Sequence, residues 1–566
     1  MKNHKKISKI FFLIPVFFFQ NFLFARGNQE LIPAGHWIYD STQSVFMESS
    51  LVNFSDSAPL TIQELKTYLD EVDEENLSES GKKELQKIFS YFEYEPIGFN
   101  SDLLQLGFEP SLNLSAFYKS NEEINWIYDR YFRKPFIYAP LSISCADIFT
   151  MKMDLLLGMN KNTTILHDTR TNLMLSADQI DINFPDEAHF STGYKFTNRT
   201  GIGFQIGKGS RSIGNTLAGS MIWSRYLTGV SYAQMQAYSP NLKYTAVVSQ
   251  LNVDKYMYTH LLEARFFQKI TFSVLEGMLV NAPLELRFLN PLTIFHGMAP
   301  WREYNRSSYD SESHTSAYLG IKVQYIPVKN LKLYGLYAMT QFQTNFETSN
   351  YPDDTTPNGR GGQLGGIYAL PYKNGRFTFS VEGSYAEPYL YIKESPNWSL
   401  VKTYAENMGS KRYPFYEWVG SPFGPDTISF EAKVGYEIPQ KWVVDLLYLF
   451  MARGEMSGTN VFTSMKTSSG SYAWGGLYTG NDYPTDWCYP DSDRMSKAEA
   501  KRRQSLVTPT GIPEFVNRIS VKASYAFNPH FDCTFQPSYV LIFNHAHKSA
   551  VVKSAFEFAL ACSIKY

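Results

Sequence analysis

Alternating apolar and polar residues are the main pattern of this chain, and residues 258–301 show it most clearly. Within that stretch, the runs 262–266, 270–274 and 284–288 each place apolar side chains at every second position. Because successive strand residues point to opposite faces, each run predicts a β-strand with one apolar and one polar face. A soluble sheet buries its apolar face, whereas a membrane barrel shows that face to lipid and keeps charge in its lumen. Other parts of the chain must distinguish these two classes.

Two features interrupt the alternation. Glu276 has the same parity as the apolar residues of the run 270–274, so strict alternation would place its carboxylate on the apolar face. Either Glu276 lies beyond the apolar band, or a β-bulge near Gly277 turns it to the other side. Pro291 cannot donate to a strand ladder and restricts the residue before it, so the strand pattern should end there. The aromatic, non-periodic residues 293–301 are therefore predicted to form a loop.

Strand-like runs continue through residues 100–566, with further strands predicted at 142–158, 201–206 and 217–223 among others. Their connections alternate in length. Tight turns are predicted at 328–330, 373–375, 439–440 and 528–529, and long polar loops at 344–360, 388–426 and 452–513. Short turns on one side and long loops on the other are typical of an up-and-down antiparallel outer-membrane barrel, with the long loops outside. Two strands for each turn and loop predict about 16–18 strands.

The last residues, 556–566, alternate apolar and polar side chains and end on the aromatic Tyr566. Outer-membrane barrels commonly end in such a strand, which the barrel-assembly machinery recognises. Aromatic residues make up 16% of the chain, as aromatic girdles at two membrane interfaces would require. The predicted fold class is therefore all-β, a large transmembrane β-barrel in contact with outer-membrane lipid.

Residues 1–25 predict a secretory signal peptide. Four lysines precede the apolar run 10–24, and the small residue Ala25 follows it. The run is short for a spanning helix, which needs about 20 residues. No cysteine ends the run, which disfavours a lipid-anchored lipoprotein. The chain is therefore expected to be exported.

Residues 30–97 differ from the rest because their apolar residues recur at helical spacing. Thr61 is a predicted N-cap, Glu64 would complete a capping box, and residues 80–92 carry an apolar stripe. A small helical module that plugs the barrel or caps it in the periplasm is the favoured interpretation. As an alternative, the order HW…YD followed by PLTxxEL looks like a surface-layer-homology repeat, which suggests contact with cell-wall glycan.

The composition argues against several functions. Lys and Arg number 52 and Asp and Glu 54, so the net charge of −2 provides no basic footprint for nucleic acid. The four cysteines contain no CxxC pair, so neither a disulfide framework nor a zinc site is expected in this exported chain. No nucleophile elbow or spaced catalytic triad stands out, so the chain is not expected to be an enzyme or to carry a cofactor.

A series of short motifs is spread in order over most of the mature chain. They are GFQIGK at 203–208, NLKYT at 241–245, HLLEAR at 260–265, LEG at 275–277, LNPL at 289–292 with His296, and TPTGIP at 508–513 with Asn544 and His547. Together they resemble the outer-membrane capsule assembly family called Wzi. The resemblance implies a closed barrel with an added helical element that binds capsular polysaccharide at the cell surface as a lectin, without enzymatic activity. Apart from the TPTGIP motif at its end, the long loop 452–513 does not match that family.

Glycan sites use flat aromatic rings for the C–H faces of sugars and planar polar groups for hydroxyls and carboxylates. The candidate polysaccharide-binding residues are Glu276, Arg287, Asn290, His296, Trp301, Arg302, Trp474 and Trp487. Each group of candidate residues also has a purely structural interpretation. The loop that carries residues 301–303 could line or plug the lumen, and the loop around Trp474 could be a packed surface loop or interface girdle. Glu276 could form a lumen ion pair with Arg265 or Arg287.

Two functions therefore remain open. The first is an outer-membrane barrel that binds surface polysaccharide and helps to attach or assemble it. The second is a porin-like diffusion channel or substrate-specific transporter, and a barrel enzyme is disfavoured. A constriction lined by opposed acidic and basic rows would favour transport, whereas a plugged lumen with aromatic outer loops would favour binding. Either function predicts a location in the outer membrane of a diderm bacterium.

Overall fold

The computed structural model describes residues 26–101, 103–124, 133–159, 170–173, 185–295, 315–350, 357–393, 399–408, 411–457, 502 and 504–566. The predicted signal peptide, residues 1–25, lies outside these ranges. No helix in the part of the chain that the structure describes is long and apolar enough to cross a membrane.

Three short helices form a module near the N-terminus, α1 (Trp37–Glu48), α2 (Ile62–Leu69) and α3 (Glu79–Phe92). A 3₁₀ turn at Glu74–Asn76 and a two-stranded sheet of β1 (Leu31–Ile32) and β2 (Leu60–Thr61) complete it.

The apolar faces of these helices meet in a core of their own, to which Phe46, Leu65 and Ile88 contribute. The Thr61 hydroxyl accepts a hydrogen bond from the backbone N–H of Glu64 at 3.1 Å, so the predicted N-cap is confirmed. The Glu64 carboxylate itself is turned towards the barrel wall, where it pairs with a lysine.

The rest of the described chain is mostly β-strand. The first segments are short, β3 (Ile97–Asn100), β4 (Leu104–Phe108), β5 (Ser111–Lys119), β6 (Ile137–Tyr138), β7 (Leu141–Cys145), β8 (Phe149–Met153) and β9 (Leu156–Leu157). Longer strands follow, β10 (Ala188–Thr197), β11 (Thr200–Gly209), β12 (Val230–Tyr238), β13 (Leu242–Asn252), β14 (Lys255–Phe266), β15 (Ile270–Val280), β16 (Thr315–Val328), β17 (Leu331–Gln341), β18 (Gly359–Tyr372) and β19 (Gly375–Ala386).

A separate hairpin comes next, β20 (Val401–Met408) and β21 (Lys411–Trp418). The last strands of the main sheet are β22 (Thr427–Ile438), β23 (Trp442–Arg453), β24 (Glu514–Asn528), β25 (Phe531–Phe543) and β26 (Val552–Lys565). Outside the strands lie a short helix, α4 (Asn345–Asn350), and two 3₁₀ turns at Leu286–Leu289 and His545–His547.

The main sheet closes into a ring. From β10 to β19 each strand pairs antiparallel with the next, β19 pairs with β22, and the pairing continues to β26. β26 then pairs with β5, where Phe558 lies opposite Tyr118, and β8 pairs with β10. The sheet has 22 segments. When β4–β5, β6–β7 and β8–β9 are each counted as one interrupted strand, and β3 is left out as a short extra strand at the edge, the ring has 18 strands. The predicted large antiparallel barrel is confirmed over the described residues.

The barrel wall is apolar outside and polar inside. On β14, Leu262 and Phe266 point outwards and are exposed, whereas Glu263 and Arg265 point inwards and are buried. The same alternation continues around the ring, as a membrane barrel requires. Exposed outward side chains on other strands include Leu114, Phe204, Val323, Phe379, Leu446 and Ile519.

The two ends of the barrel differ in their connections. Short turns at 198–199, 239–241, 267–269, 329–330, 373–374, 439–441 and 529–530 lie at one end, which we call the turn end. The opposite loop end carries long connections, with one exception. The two-residue turn Val253-Asp254 joins β13 to β14 there, and Asp254 has a positive φ of 51°. The predicted alternation of turn and loop lengths is thus confirmed elsewhere along the described strands.

Two of the predicted strands are wrong, and a third, 142–158, is divided into β7, β8 and β9. Residues 284–288 do not continue the sheet, because Leu286–Leu289 forms a 3₁₀ turn outside the wall. Residues 217–223 lie inside the barrel, in the connection between β11 and β12. A segment that packs one side against a wall can show the same alternation as a strand, so periodicity alone does not separate the two.

The expectation for the cysteines needs one correction. Cys533 of β25 and Cys562 of β26 lie directly opposite each other and form a disulfide. Their separation of 29 residues matches no motif, and only the register of the last hairpin brings them together. This single cross-strand bond joins two strands that already pair along their whole length.

Candidate functional site

The helical module lies inside the turn end of the barrel. The backbone N–H of Val52 donates to the carbonyl of Gln268, and that of Asn330 donates to the carbonyl of Met47, each at 2.9 Å. Gln268 and Asn330 belong to two different turns of the ring. The module is therefore tied to the barrel through the rim as well as through its interior.

A buried charge network joins the module to the wall. Lys322 of β16 lies between Asp56 of the module and Glu263 of β14, with its Nζ 3.4 Å from Oε1 of Glu263. Lys332 of β17 brings a second positive charge to 3.7 Å from Asp56. The Ser57 hydroxyl donates to Glu263 at 2.9 Å. Buried ions offset their lost hydration only in such paired, hydrogen-bonded geometry, so the network favours one position of the module.

The same division of charge recurs around the module, whose acids meet bases of the wall. The further pairs are Glu30–Lys152, Glu64–Lys243, Glu71–Arg265 and Glu84–Arg376, with nitrogen-to-oxygen distances of 2.6, 2.5, 2.6 and 3.6 Å. Pairs of the opposite sense also occur, such as Lys87 of α3 with Glu437 of the wall at 3.4 Å. Complementary charge of this kind specifies how the module is oriented in the barrel.

The pKa values of several titratable groups of the module are strongly shifted, among them those of Glu30, Asp56 and His36. Burial alone would raise the pKa of Glu30, but the nearby Lys152 and Arg26 outweigh burial and lower the pKa to about 2. Burial opposes the ionised form of Asp56 too, yet two wall lysines hold its pKa well below the ordinary value. Burial lowers the pKa of His36 to about 3, and the same Lys152 and Arg26 act in that direction. At neutral pH both acids are therefore ionised and His36 is neutral.

A second element fills the interior beyond the module. Residues 210–229, the connection between β11 and β12, fold inwards, and we call them the inner loop. The backbone N–H groups of Leu217 and Ala218 both donate to the Glu382 carboxylate of β19 at 2.8 Å. The backbone N–H of Ser212 donates to Ala58 of the module at 3.2 Å. The inner loop thus bridges the module and the wall.

Apolar packing holds the inner loop towards the loop end. Met221, Ile222 and Trp223 are buried in one cluster with wall residues and with residues near the β20–β21 hairpin. Those partners include Leu275, Leu279, Tyr318, Leu336, Tyr391, Leu400 and Trp418. Near β23–β26, a separate cluster joins Ala218 of the inner loop to Phe423.

The inner face of the wall is less deeply buried along β22, β23 and β24. Lys433 of β22, Asp445 of β23 and Lys522 of β24 share the inward parity of their strands but are only half-buried. Solvent therefore reaches the interior beside these three strands. The charges there are of both signs, so this surface is neither a purely acidic nor a purely basic row.

The structure corrects the interpretation of Glu276. The register of β15 with both neighbours is continuous through Glu276, so no β-bulge turns the residue, and it faces outwards beside His260. Arg265 faces inwards and pairs with Glu71 of the module. The lumen ion pair between Glu276 and Arg265 is therefore wrong, because the two side chains lie on opposite faces of the wall.

Two other candidates lie outside the wall near the same strands. Arg287 belongs to the 3₁₀ turn outside the wall, where its guanidinium pairs with Glu285 at 2.7 Å, so a pair of Arg287 with Glu276 inside the lumen is wrong as well. The Asn290 side chain accepts a hydrogen bond from the backbone N–H of Leu292 at 3.1 Å, which stabilises the local turn. The remaining candidates lie outside the described residues, namely His296, Trp301, Arg302, Trp474 and Trp487.

A polar and aromatic group at the loop end has no counterpart among the sequence candidates. We call Gln341, Phe342, Arg360, Glu387 and Lys393 the rim cluster. The Phe342 ring is 45% exposed, and the Arg360 guanidinium lies 5.3 Å from its centre. Glu387 holds Arg360 at 2.6 Å, and the Lys393 ammonium donates to the Gln341 amide at 3.4 Å. These residues come from the loop-end termini of β17 and β18 and from the connection that follows β19, so no single sequence motif contains them.

Comparison with solved structures identifies the architecture. Wzi of Escherichia coli, an outer-membrane protein involved in group 1 capsule assembly and a carbohydrate-binding β-barrel, matches with a TM-score of 0.53 and 10% identity. The match covers 94% of this chain and 98% of Wzi. At this identity the similarity concerns the fold, and this chain has the fold of an outer-membrane β-barrel.

More distant barrels also match. OprD of Pseudomonas aeruginosa has a TM-score of 0.37 at 8% identity, over 83% of this chain and 97% of that one. The channel DcaP of Acinetobacter baumannii has a TM-score of 0.32 at 8% identity, over 83% and 99%. These two scores carry no argument about function. No protein-family model matches the chain, and no curated protein matches it by sequence.

The Lys322→Met substitution should loosen the module. It would leave Asp56 and Glu263 buried without their shared cation, which costs about 3–5 kcal/mol. We expect amide hydrogen exchange in α1 and α2 to accelerate by about 100-fold or more, measured by mass spectrometry. Lys82→Met is the matched control, because Lys82 makes only an exposed pair with Glu79 at 4.0 Å and should change exchange little. Equal exchange in the two variants would contradict a stabilising network.

Acid should also loosen the module. His36, with its lowered pKa, contributes stability that falls as pH drops from about 6.5 towards 3, because the released module binds the proton more readily. Glu30 contributes stability that is present above its ordinary pKa of 4.5 and is lost as pH falls towards 2. Module exchange rates, corrected for their intrinsic pH dependence, should rise below about pH 6.5. In His36→Asn, which keeps a helix-capping side chain, the rise should begin only near pH 4.5. A rise that starts at the same pH in both proteins would exclude the role of His36.

Proposed function

We propose that this chain is an outer-membrane barrel that binds surface polysaccharide and helps to attach or assemble it. The main observation in support is that the barrel interior is occupied. The acidic module and the inner loop take up the space that a diffusion channel would need. The likeness of the fold to Wzi, which is described as a carbohydrate-binding β-barrel, supports the same function. Export through a cleaved signal peptide and insertion through the last strand complete the proposal, which includes no catalytic step.

The rim cluster is the described surface best suited to a sugar. An exposed Phe342 ring can stack on the C–H face of a pyranose. Arg360 is held flat beside that ring by Glu387, so it can present its remaining N–H groups without losing further freedom. Lys393 adds a positive charge suited to a uronate or other acidic substituent. In this proposal Trp301, Arg302, Trp474 and Trp487 remain further candidates for sugar contact.

A transport function is the second candidate, and one observation favours it. Lys433, Asp445 and Lys522 line a solvent-accessible part of the interior with charges of both signs. A porin-like path for a small solute would run along this wall. Its conductance would depend on how the module is seated, because the module occupies the turn end of the same interior.

The first experiment compares surface polysaccharide on cells and in the medium, for a deletion strain and its parent. The proposal predicts that the deletion strain releases polysaccharide into the medium while total synthesis is unchanged. Unchanged retention, together with conductance steps of the purified protein in a planar bilayer, would replace the binding function with the transport function.

Binding measurements on purified variants then test the rim cluster. Phe342→Ala should reduce affinity for the cell's own purified polysaccharide about five-fold, since ring stacking contributes about 1 kcal/mol. Phe267→Ala is the matched control, because Phe267 is an exposed aromatic at the turn end, on the opposite side of the barrel. Binding would be measured by surface plasmon resonance on detergent-solubilised barrels. A loss of the same size in both variants would exclude specific stacking at Phe342.

A further inference from the structure

Residues 281–295 leave the loop end after β15 and lie against the outside of the barrel wall as far as the middle of β14, and we call them the outer segment. The backbone N–H of Glu285 donates to the Tyr258 hydroxyl at 3.2 Å, and the Tyr244 hydroxyl donates to the carbonyl of Pro291. Tyr244 and Tyr258 both point outwards from their strands. The outer segment is therefore fastened to the outer face of the wall at two separate points.

Apolar contacts reinforce this attachment. Phe288 and Phe295 of the outer segment are buried in one cluster with Tyr258 and Met278 of the wall. The Phe295 ring stacks on the outward His260 ring with centroids 4.2 Å apart. The side of the outer segment that faces the wall is thus as well packed as a protein core.

The opposite side of the outer segment is apolar and uncovered. Leu286 is 81% exposed, Leu292 is 87% exposed and Ile294 is 70% exposed, and Leu284 is also exposed. Four exposed large aliphatic side chains on one short segment that is fixed to the wall indicate an interaction surface rather than ordinary solvent-facing chain. The Glu285–Arg287 ion pair lies within the same segment.

The position of this surface identifies its partner. It is continuous with the exposed apolar side chains that β14 and β15 present outwards, such as Leu262 and Phe272. The outward polar residues His260 and Glu276 lie closer to the loop end than that apolar band. Non-strand backbone is not stable in the hydrocarbon core, but it is stable at the interface, where headgroups and water bond its polar groups.

We propose that the outer segment is an interfacial anchor whose exposed leucine and isoleucine side chains insert among the acyl chains of the membrane leaflet at the loop end. Arg287 and Glu285 lie at the level of the lipid headgroups. The anchor fixes the tilt and depth of the barrel beside β13–β15. This inference does not depend on polysaccharide binding.

Depth-dependent fluorescence quenching tests the proposal. The Leu292→Trp variant of the full chain is refolded into phosphatidylcholine vesicles with unmodified, 6,7-dibrominated or 11,12-dibrominated acyl chains, and the emission of the parent protein is subtracted. We expect the emission added by residue 292 to fall at least two-fold with the 6,7-dibromo lipid and less with the 11,12-dibromo lipid. Aqueous acrylamide should quench it weakly.

Two control positions bracket this result. Leu262→Trp reports a lipid-facing strand position, and Val253→Trp reports a turn at the loop end that is 84% exposed. If residue 292 behaves like residue 253, with strong quenching by acrylamide and none by bromine, the anchor is excluded. Protection from both quenchers would also overturn it, because protein, such as a second copy of the chain, would then cover the surface. Leu286→Trp replaces Leu292→Trp if that variant fails to fold, as judged by heat-modifiable migration on a gel.

Discussion

Pairing of β26 with β5 is the constraint on which the rest of the structure depends. Lipid offers no water to unpaired backbone groups, so a membrane sheet is stable only when its first and last strands meet. Closure also defines an inside and an outside for every alternating residue. Outward apolar side chains then face lipid, and the polar half of each strand has to be accommodated in the interior.

An 18-strand ring encloses more space than its own side chains can fill. The chain fills it with two further elements, the helical module and the inner loop. The module presents acids and the wall presents bases, which lets a buried polar interior form without unpaired charge around Lys322 and Asp56. The inner loop adds an apolar layer towards the loop end. Charge therefore orients the module, and apolar burial holds the inner loop in place.

With much of the interior occupied, the surfaces left for recognition lie at the loop end and on its margin. The rim cluster combines an exposed ring with charged groups held in fixed positions. The outer segment turns apolar side chains away from the wall at the edge of the lipid-facing band. The outer segment is a connection, and the rim cluster combines connection residues with the ends of β17 and β18, in keeping with the general rule that a rigid scaffold carries its function on and beside its loops.

The sequence by itself determined the fold class, because strand alternation, short turns and the helical spacing of residues 30–97 are local properties with fixed periods. It also identified Thr61 as a helix cap from a pattern of four residues. It could not distinguish residues 217–223 and 284–288 from strands, since packing against a wall imposes the same period. Only the closed ring decided that Glu276 and Arg265 face opposite sides, and that Lys322 meets Asp56. Contacts between residues so far apart in the chain depend on strand register and on module docking, and neither leaves a local signal in the sequence.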